Sequence, residues 1–206
     1  MKSISRSAYI AVLLCGAAFG FQQQNNALEQ EREKEIYKIY SLLMTNPPTS
    51  HGPDDNARYL IAETTSMPVH QQPCVDPPKE RRAQFLEAVA EFELKRSTPR
   101  KLKRELSLQK PYDLVSSEEA KAFAKARSVP SPHAQAPDPR FKGVSDIFTL
   151  GDVYFSKDGK LALTSLSTWC GGLCGLFDWK VFEKLPTGDW KLRPSWVTCF
   201  TVAQRH

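Results

Sequence analysis

The sequence has no apolar run long enough to cross a bilayer. Its longest, Ala8–Phe21 ("AYIAVLLCGAAFGF"), falls short of the roughly 20 residues a spanning helix needs. It has no strong charge excess either. Lys and Arg number 28 against 23 acidic residues, and the net +5 permits contact with an anionic surface without pointing to nucleic acid. No internal repeat appears, which excludes a solenoid or propeller. No complete catalytic set appears: Ser66 and the other serines lack a nucleophile-elbow context. His70 and His133 lie in proline-rich stretches that read as exposed loops. No pattern calls for a cofactor or a metal. Cysteine is scarce, at five residues, so the position of each one carries weight.

What is present begins at the N-terminus. Lys2 and Arg6 form a short basic region, the apolar run follows, and polar "QQQNN" comes next. This is the layout of a secretory signal peptide over residues 1–20, with Ala18-Phe19-Gly20 as a small-x-small cleavage pattern. The alternatives are an uncleaved anchor and a lipid anchor through Cys15. Leu14 stands before Cys15, where bacterial lipoproteins usually carry a small residue. Export to a periplasmic or extracellular space leaves Cys74, Cys170, Cys174 and Cys199, an even set in an oxidising compartment, and favours disulfides over metal thiolates.

The mature chain, 27–206, reads as one α+β domain: N-terminal helices packed on a C-terminal antiparallel β-meander. A helical part covers 27–128, a proline-rich connection 129–140 and a β-rich part 141–206. Ala27–Met44 places Ile36, Ile39, Tyr40 and Leu43 on one helical face before Asn46-Pro47-Pro48 stops it. Arg58–Thr65 has strand character. Lys79–Arg96 places Phe85, Val89 and Phe92 on one face. "SSEEAKAFAKARS" opens with Ser116 and Glu119 at capping-box spacing. Beyond the connection, Asp152–Ser156, Leu161–Cys170 and Gly175–Leu185 read as strands, the first two joined by the Asp158-Gly159 hairpin signal. Pro186–Asp189 turns the chain into Trp190–Ala203, which Pro194 interrupts.

In "TWCGGLCGLFDW" a three-residue loop, Gly171-Gly172-Leu173, sets Cys170 across from Cys174. Pairing then runs Thr168–Leu176, Ser167–Phe177, Ser165–Trp179 and Leu163–Val181. Leu163, Trp169, Phe177, Trp179 and Val181 share one apolar face. A Cys170–Cys174 bridge would stabilise by about 2 kcal/mol, and a Cys74–Cys199 bridge, closing a far longer loop, by about 5 kcal/mol on the chain-entropy argument. That set is favoured, and its rival pairs Cys199 with a hairpin cysteine. Redox pairs usually enclose two residues at a helix start, where the dipole lowers a thiol pKa. Metal binding would need two further ligands.

Three other groups are candidates. Arg100, Lys101, Lys103 and Arg104, with Lys95 and Arg96, form a basic patch for an anionic ligand such as a cell-envelope component, or else a solvated face. His51, Asp54 and Asp55 could supply half of a metal or acid–base site, but a solvated loop using Asp in turn chemistry is the favoured reading. Trp169, Trp179, Trp190 and Trp196 could line a groove or pack a core.

The segment "FTLGDVYFSKDGKLALTSLSTWCGGLCGLFDWKVFEKLPTGDWKL" resembles one shared by many exported bacterial proteins of unknown function. Their pattern includes a cysteine-glycine-x-leucine-cysteine-glycine loop, a leucine-glutamate-lysine strand, a glycine turn and a tryptophan. Cys170, Gly171, Leu173, Cys174, Gly175, Glu183, Lys184, Gly188 and Trp190 match it, as do Val153, Phe155, Asp158 and Ala162. Leu176-Phe177-Asp178 departs from it, where the family often has another glycine and small residues. The resemblance implies export and architecture but no activity. The expected function is an exported, disulfide-containing, non-enzymatic binding or structural domain. The alternative is an enzyme, either a thiol-disulfide oxidoreductase using Cys170 and Cys174 or a hydrolase using His51 with its nearby aspartates.

Overall fold

A computed structural model describes residues 26–45, 47–48, 58–66, 72–128, 139–171, 174–198 and 201–202, without the side chains at 126–128, 140, 171, 174 and 201–202. The chain divides into Met1–Tyr37 and Lys38–His206. All described residues of the first unit lie in helix α1, 26–43, which runs on into the second. Ile36, Ile39, Tyr40 and Leu43 are all buried, as the 3.6-residue spacing requires.

In the second unit eight strands form one mixed sheet among the described residues. They are β1 Tyr59–Ala62, β2 Tyr112–Val115, β3 Ile147–Leu150, β4 Tyr154–Phe155, β5 Leu161–Gly171, β6 Cys174–Lys184, β7 Trp190–Leu192 and β8 Thr201–Val202. The order is β2-β1-β3-β5-β6-β7, with β4 also on β5 and β8 also on β6. Helix α2, Arg82–Lys95, lies between β1 and β2 in the chain, and α3, Ser117–Ser128, between β2 and β3.

The α+β class holds, but the sheet is not a purely antiparallel C-terminal meander. β1 pairs in parallel with both β2 and β3. The short C-terminal connections do make hairpins. The long connections carrying α2 and α3, however, are crossovers, which parallel strands need. The part read as helical, 27–128, therefore contributes β2 to the sheet as well as β1, which falls within the strand expected at Arg58–Thr65.

Side-chain alternation assigns the two faces. Leu161, Leu163, Trp179 and Val181 meet Phe85, Ala88 and Phe92 of α2. Farther along the same face, Leu60, Ile147 and Trp169 meet Phe123 of α3. On the opposite face, Thr164 Oγ1 and Tyr40 Oη both donate to the Gly151 carbonyl, at 3.1 and 3.0 Å. The capping box of α3 forms in both directions: Glu119 N donates to Ser116 Oγ at 3.2 Å, and Ser116 N donates to Glu119 Oε2 at 2.8 Å. Gly159 takes φ +65° in the β4–β5 turn, the left-handed conformation that glycine adopts without strain.

Candidate functional site

The β5–β6 register is Thr168↔Leu176, Ser167↔Phe177, Ser165↔Trp179 and Leu163↔Val181. At the tip it differs from direct Cys170–Cys174 opposition. Trp169 pairs with Gly175 and Gly171 with Cys174, so Cys170 is the extra residue of a β-bulge. Cys170 is only 7% exposed, and Trp169 next to it packs edge-on against Phe123, 5.9 Å between centroids. Half-buried Cys74 sits in a segment docked on the chain just before Cys199. The Cys74 carbonyl accepts from Thr198 N at 3.1 Å, Asp76 N donates to the Trp196 carbonyl at 2.8 Å, and Val75 bridges Val197. Cys74 Sγ lies 3.7 Å from the Gln72 carbonyl oxygen. No two described cysteine side chains form a pair; Cys199 and the Cys174 side chain lie outside the described residues.

The basic segment is a strap across the end of β1. Thr64 bridges Lys101, and Leu102 N donates to the Glu63 carbonyl at 2.7 Å. Leu102 and Leu106 are buried beneath it. Its cations meet carboxylates of the same chain. Arg100 Nε donates to Asp152 Oδ1 at 2.9 Å, Lys101 Nζ lies 3.6 Å from Glu63, and Arg104 Nη2 lies 3.7 Å from Asp113. Lys95 pairs with Glu91 and Arg96 with Glu93. Lys103 is exposed and also has an interaction partner.

The buried ionisable groups tie elements together. Burial pushes the Glu183 carboxyl up, but hydrogen bonds from Arg193 and Arg81 outweigh this and hold it below the usual carboxylate range. Burial, then the charges of Asp152 and Glu91, push the Tyr154 phenol far above its ordinary range, so it stays protonated. Phe155 N and Lys157 N donate to Glu91 Oε2 and Glu87 Oε2, at 2.6 and 2.9 Å, and Gln84 Nε2 donates to Asp158 Oδ2 at 2.6 Å. Helix α2 thereby satisfies the outer amides of Phe155, in β4, and of Lys157, just beyond it, with one row of polar side chains.

Of the tryptophans, Trp179 is core and Trp190 is buried against Phe155. Trp196 is half-buried, with the Arg193 guanidinium over its ring. His51, Asp54, Asp55, His70 and His133 lie outside the described residues. Among the described residues no group of three His, Cys, Asp or Glu could hold a metal, and no helix is long and apolar enough to cross a membrane.

Reading the chain for strands misses β2. "PYDLVSS" does carry a signal, a β-forming run between Pro111 and a helix cap. Tyr59 N donates to the Pro111 carbonyl and Glu63 N to the Val115 carbonyl, at 2.9 and 2.8 Å. In parallel pairing this phase turns the N–H and C=O of Tyr112 and Leu114 away from β1, to the edge of the sheet. Among the described residues β2 pairs with β1 alone. A cleft of about 240 Å³ lies beside it, lined by Leu60, Leu114, Val115, Phe141, Arg104 and Asp113. Arg58 Nη1 donates to Asp113 Oδ2 at 2.8 Å.

No family model, curated protein or solved structure matches this chain.

Proposed function

We propose that the chain is an exported, disulfide-stapled domain that binds a partner and carries no catalysis of its own. Cys170–Cys174 and Cys74–Cys199 are its bridges, and a cell-envelope component is its class of partner. The resemblance to exported bacterial proteins and the signal-like N-terminus support export. The observation that carries the rest is how the reactive groups are used. Cys170 is nearly inaccessible, Tyr154 is held protonated, and Glu183, Asp152, Glu91 and Glu87 each accept hydrogen bonds that lock one element to another. A thiol oxidoreductase needs an exposed sulfur of lowered pKa. A general acid or base needs a group free to meet substrate. The open backbone of β2 and its cleft remain as the surface for a partner.

The test is disulfide peptide mapping with thiol labelling, before and after mild reductant. Both bridges should appear and resist reduction. If Cys170 and Cys174 open at mild potential while the fold persists, thiol exchange replaces this reading. If Cys199 is joined to a hairpin cysteine, the pairing is wrong.

A further inference from the structure

We infer that the outer edge of β2 takes up an extended peptide as an added strand, and that the preferred peptide presents an apolar side chain flanked by carboxylates. This rests on the binding-domain reading and names the ligand class of its site.

Tyr112 and Leu114 each present one N–H and one C=O outward, so an added strand gains up to four main-chain hydrogen bonds. Affinity in strand addition comes from such bonds, and specificity from pockets for alternate side chains. The pocket is in place. Leu60, Asp113 and Val115 point to the α3 face by register, and the cleft lies on that face. A peptide residue level with Asp113 therefore points into it. About 240 Å³, walled by Leu60, Val115 and Phe141, holds one aliphatic side chain.

The rim selects charge. Asp113 is one anion facing two guanidiniums. Arg58 is bound at 2.8 Å. Arg104 lies 3.7 Å away, beyond hydrogen-bond length, with its side chain 66% exposed. Arg104 is thus the cation able to turn to an incoming carboxylate and form a charge-assisted bond. A second copy of this chain would bring another net-positive cluster to the same edge, so the occupant is an acidic peptide.

The experiment uses the full chain and the peptide acetyl-TEVLVET-amide, whose Glu, Leu and Glu side chains share one face. Binding should be saturable. Amide hydrogen exchange should slow at Tyr112 and Leu114, while Asp113 and Val115, already bonded to β1, stay unchanged. Of two peptides N-methylated at alternate residues, only one should bind. Leu114→Pro removes an outward N–H without touching the β1 ladder and should abolish binding. Arg104→Glu should weaken binding about tenfold, one charge-assisted contact, and favour the TKVLVKT peptide. If the lysine peptide binds the unaltered chain equally well, the acidic ligand class is refuted. If nothing slows exchange at Tyr112 and Leu114 at about 1 mM peptide, strand addition is refuted. If those amides are already slow without peptide and sedimentation shows dimers, a second copy holds the edge and the inference fails. The two proposals fail separately. A readily exchanged Cys170–Cys174 pair defeats the binding-domain reading in the reductant assay whatever the peptide does. Absent peptide binding with intact staples defeats this inference alone.

Discussion

Glu183→Gln should destabilise the fold by about 2–3 kcal/mol at neutral pH and by much less in acid. Glu183 lies on β6 with a side chain 11% exposed. Arg81 Nε donates to its Oε1 at 2.7 Å and Arg193 Nε to its Oε2 at 2.9 Å, with Arg193 Nη2 also on Oε2. One carboxylate thus joins the turn that leads into α2 to the end of β7. Hydrogen bonds to charged groups contribute about 1.5–3 kcal/mol each. Arg81 and Arg193 are 37% and 27% exposed, so water screens part of that. The discounted total for the pair of contacts is about 2–3 kcal/mol, well below the sum. Glutamine keeps the shape but sets an NH2 against a guanidinium and removes the charge.

The pH dependence fixes the mechanism. Glu183 titrates lower when folded than when unfolded. Its stabilisation is therefore fully present above the unfolded carboxyl value, 4.5, and is lost as pH falls through the folded value beneath it. Urea denaturation of both proteins at pH 7, and at steps from pH 4.5 downward, should show two curves that converge in acid. At pH 7 the melting temperatures should differ by roughly 4–12 °C, given about 2–4 °C per kcal/mol for a chain of this size. A gap under about 0.5 kcal/mol at pH 7, the scale of ordinary surface substitutions, or one constant into acid, would refute the assignment of this carboxylate as a clamp.

Phe92→Ala should cost about 3–5 kcal/mol, because the ring is 1% exposed and meets Tyr154 and Trp179 edge-on at 5.3 and 5.4 Å. Trp179→Phe should cost less than that in the same urea assay. It removes apolar area but also a buried Nε1–H without a hydrogen-bond partner, whose burial costs about 1–3 kcal/mol. Ser116→Ala should cost about 1 kcal/mol through loss of the α3 cap, with amide exchange rising first at Glu119, whose N–H the serine accepts.

Local signals were legible in the sequence and non-local pairings were not. Asp158-Gly159 specifies the β4–β5 turn, and the alternation of Leu161–Lys184 the β5–β6 pairing, because turn chemistry and side-chain period act between near neighbours. The register follows residue by residue until Trp169. There the bulge at Cys170 shifts it, and nothing local announces a bulge. Arg58–Thr65 reads as a strand, but its short apolar run cannot say that its neighbours will be β2 and β3, both parallel. The run from Lys95 to Arg104 reads as a patch because the sequence shows its cations side by side. Glu63, Asp113 and Asp152, which receive Lys101, Arg104 and Arg100, come from the residue after β1, from β2 and from the approach to β4.

The sheet treats its exposed backbone unevenly, and the contrast bears on function. At β4 the outer amide of Phe155 is taken by Glu91, and that of Lys157 beyond the strand by Glu87, both presented by α2. Covering an edge in this way prevents strand addition there. At β2 neither Tyr112 nor Leu114 has such a cover among the described residues. The one charge on that strand, Asp113, points into the cleft, and Arg58 binds it rather than leaving it to repel a partner. A strand guarded against pairing would be expected to keep an unpaired charge or a proline at its centre. β2 has neither, so the physical case for an acquired strand is stronger there than at β4.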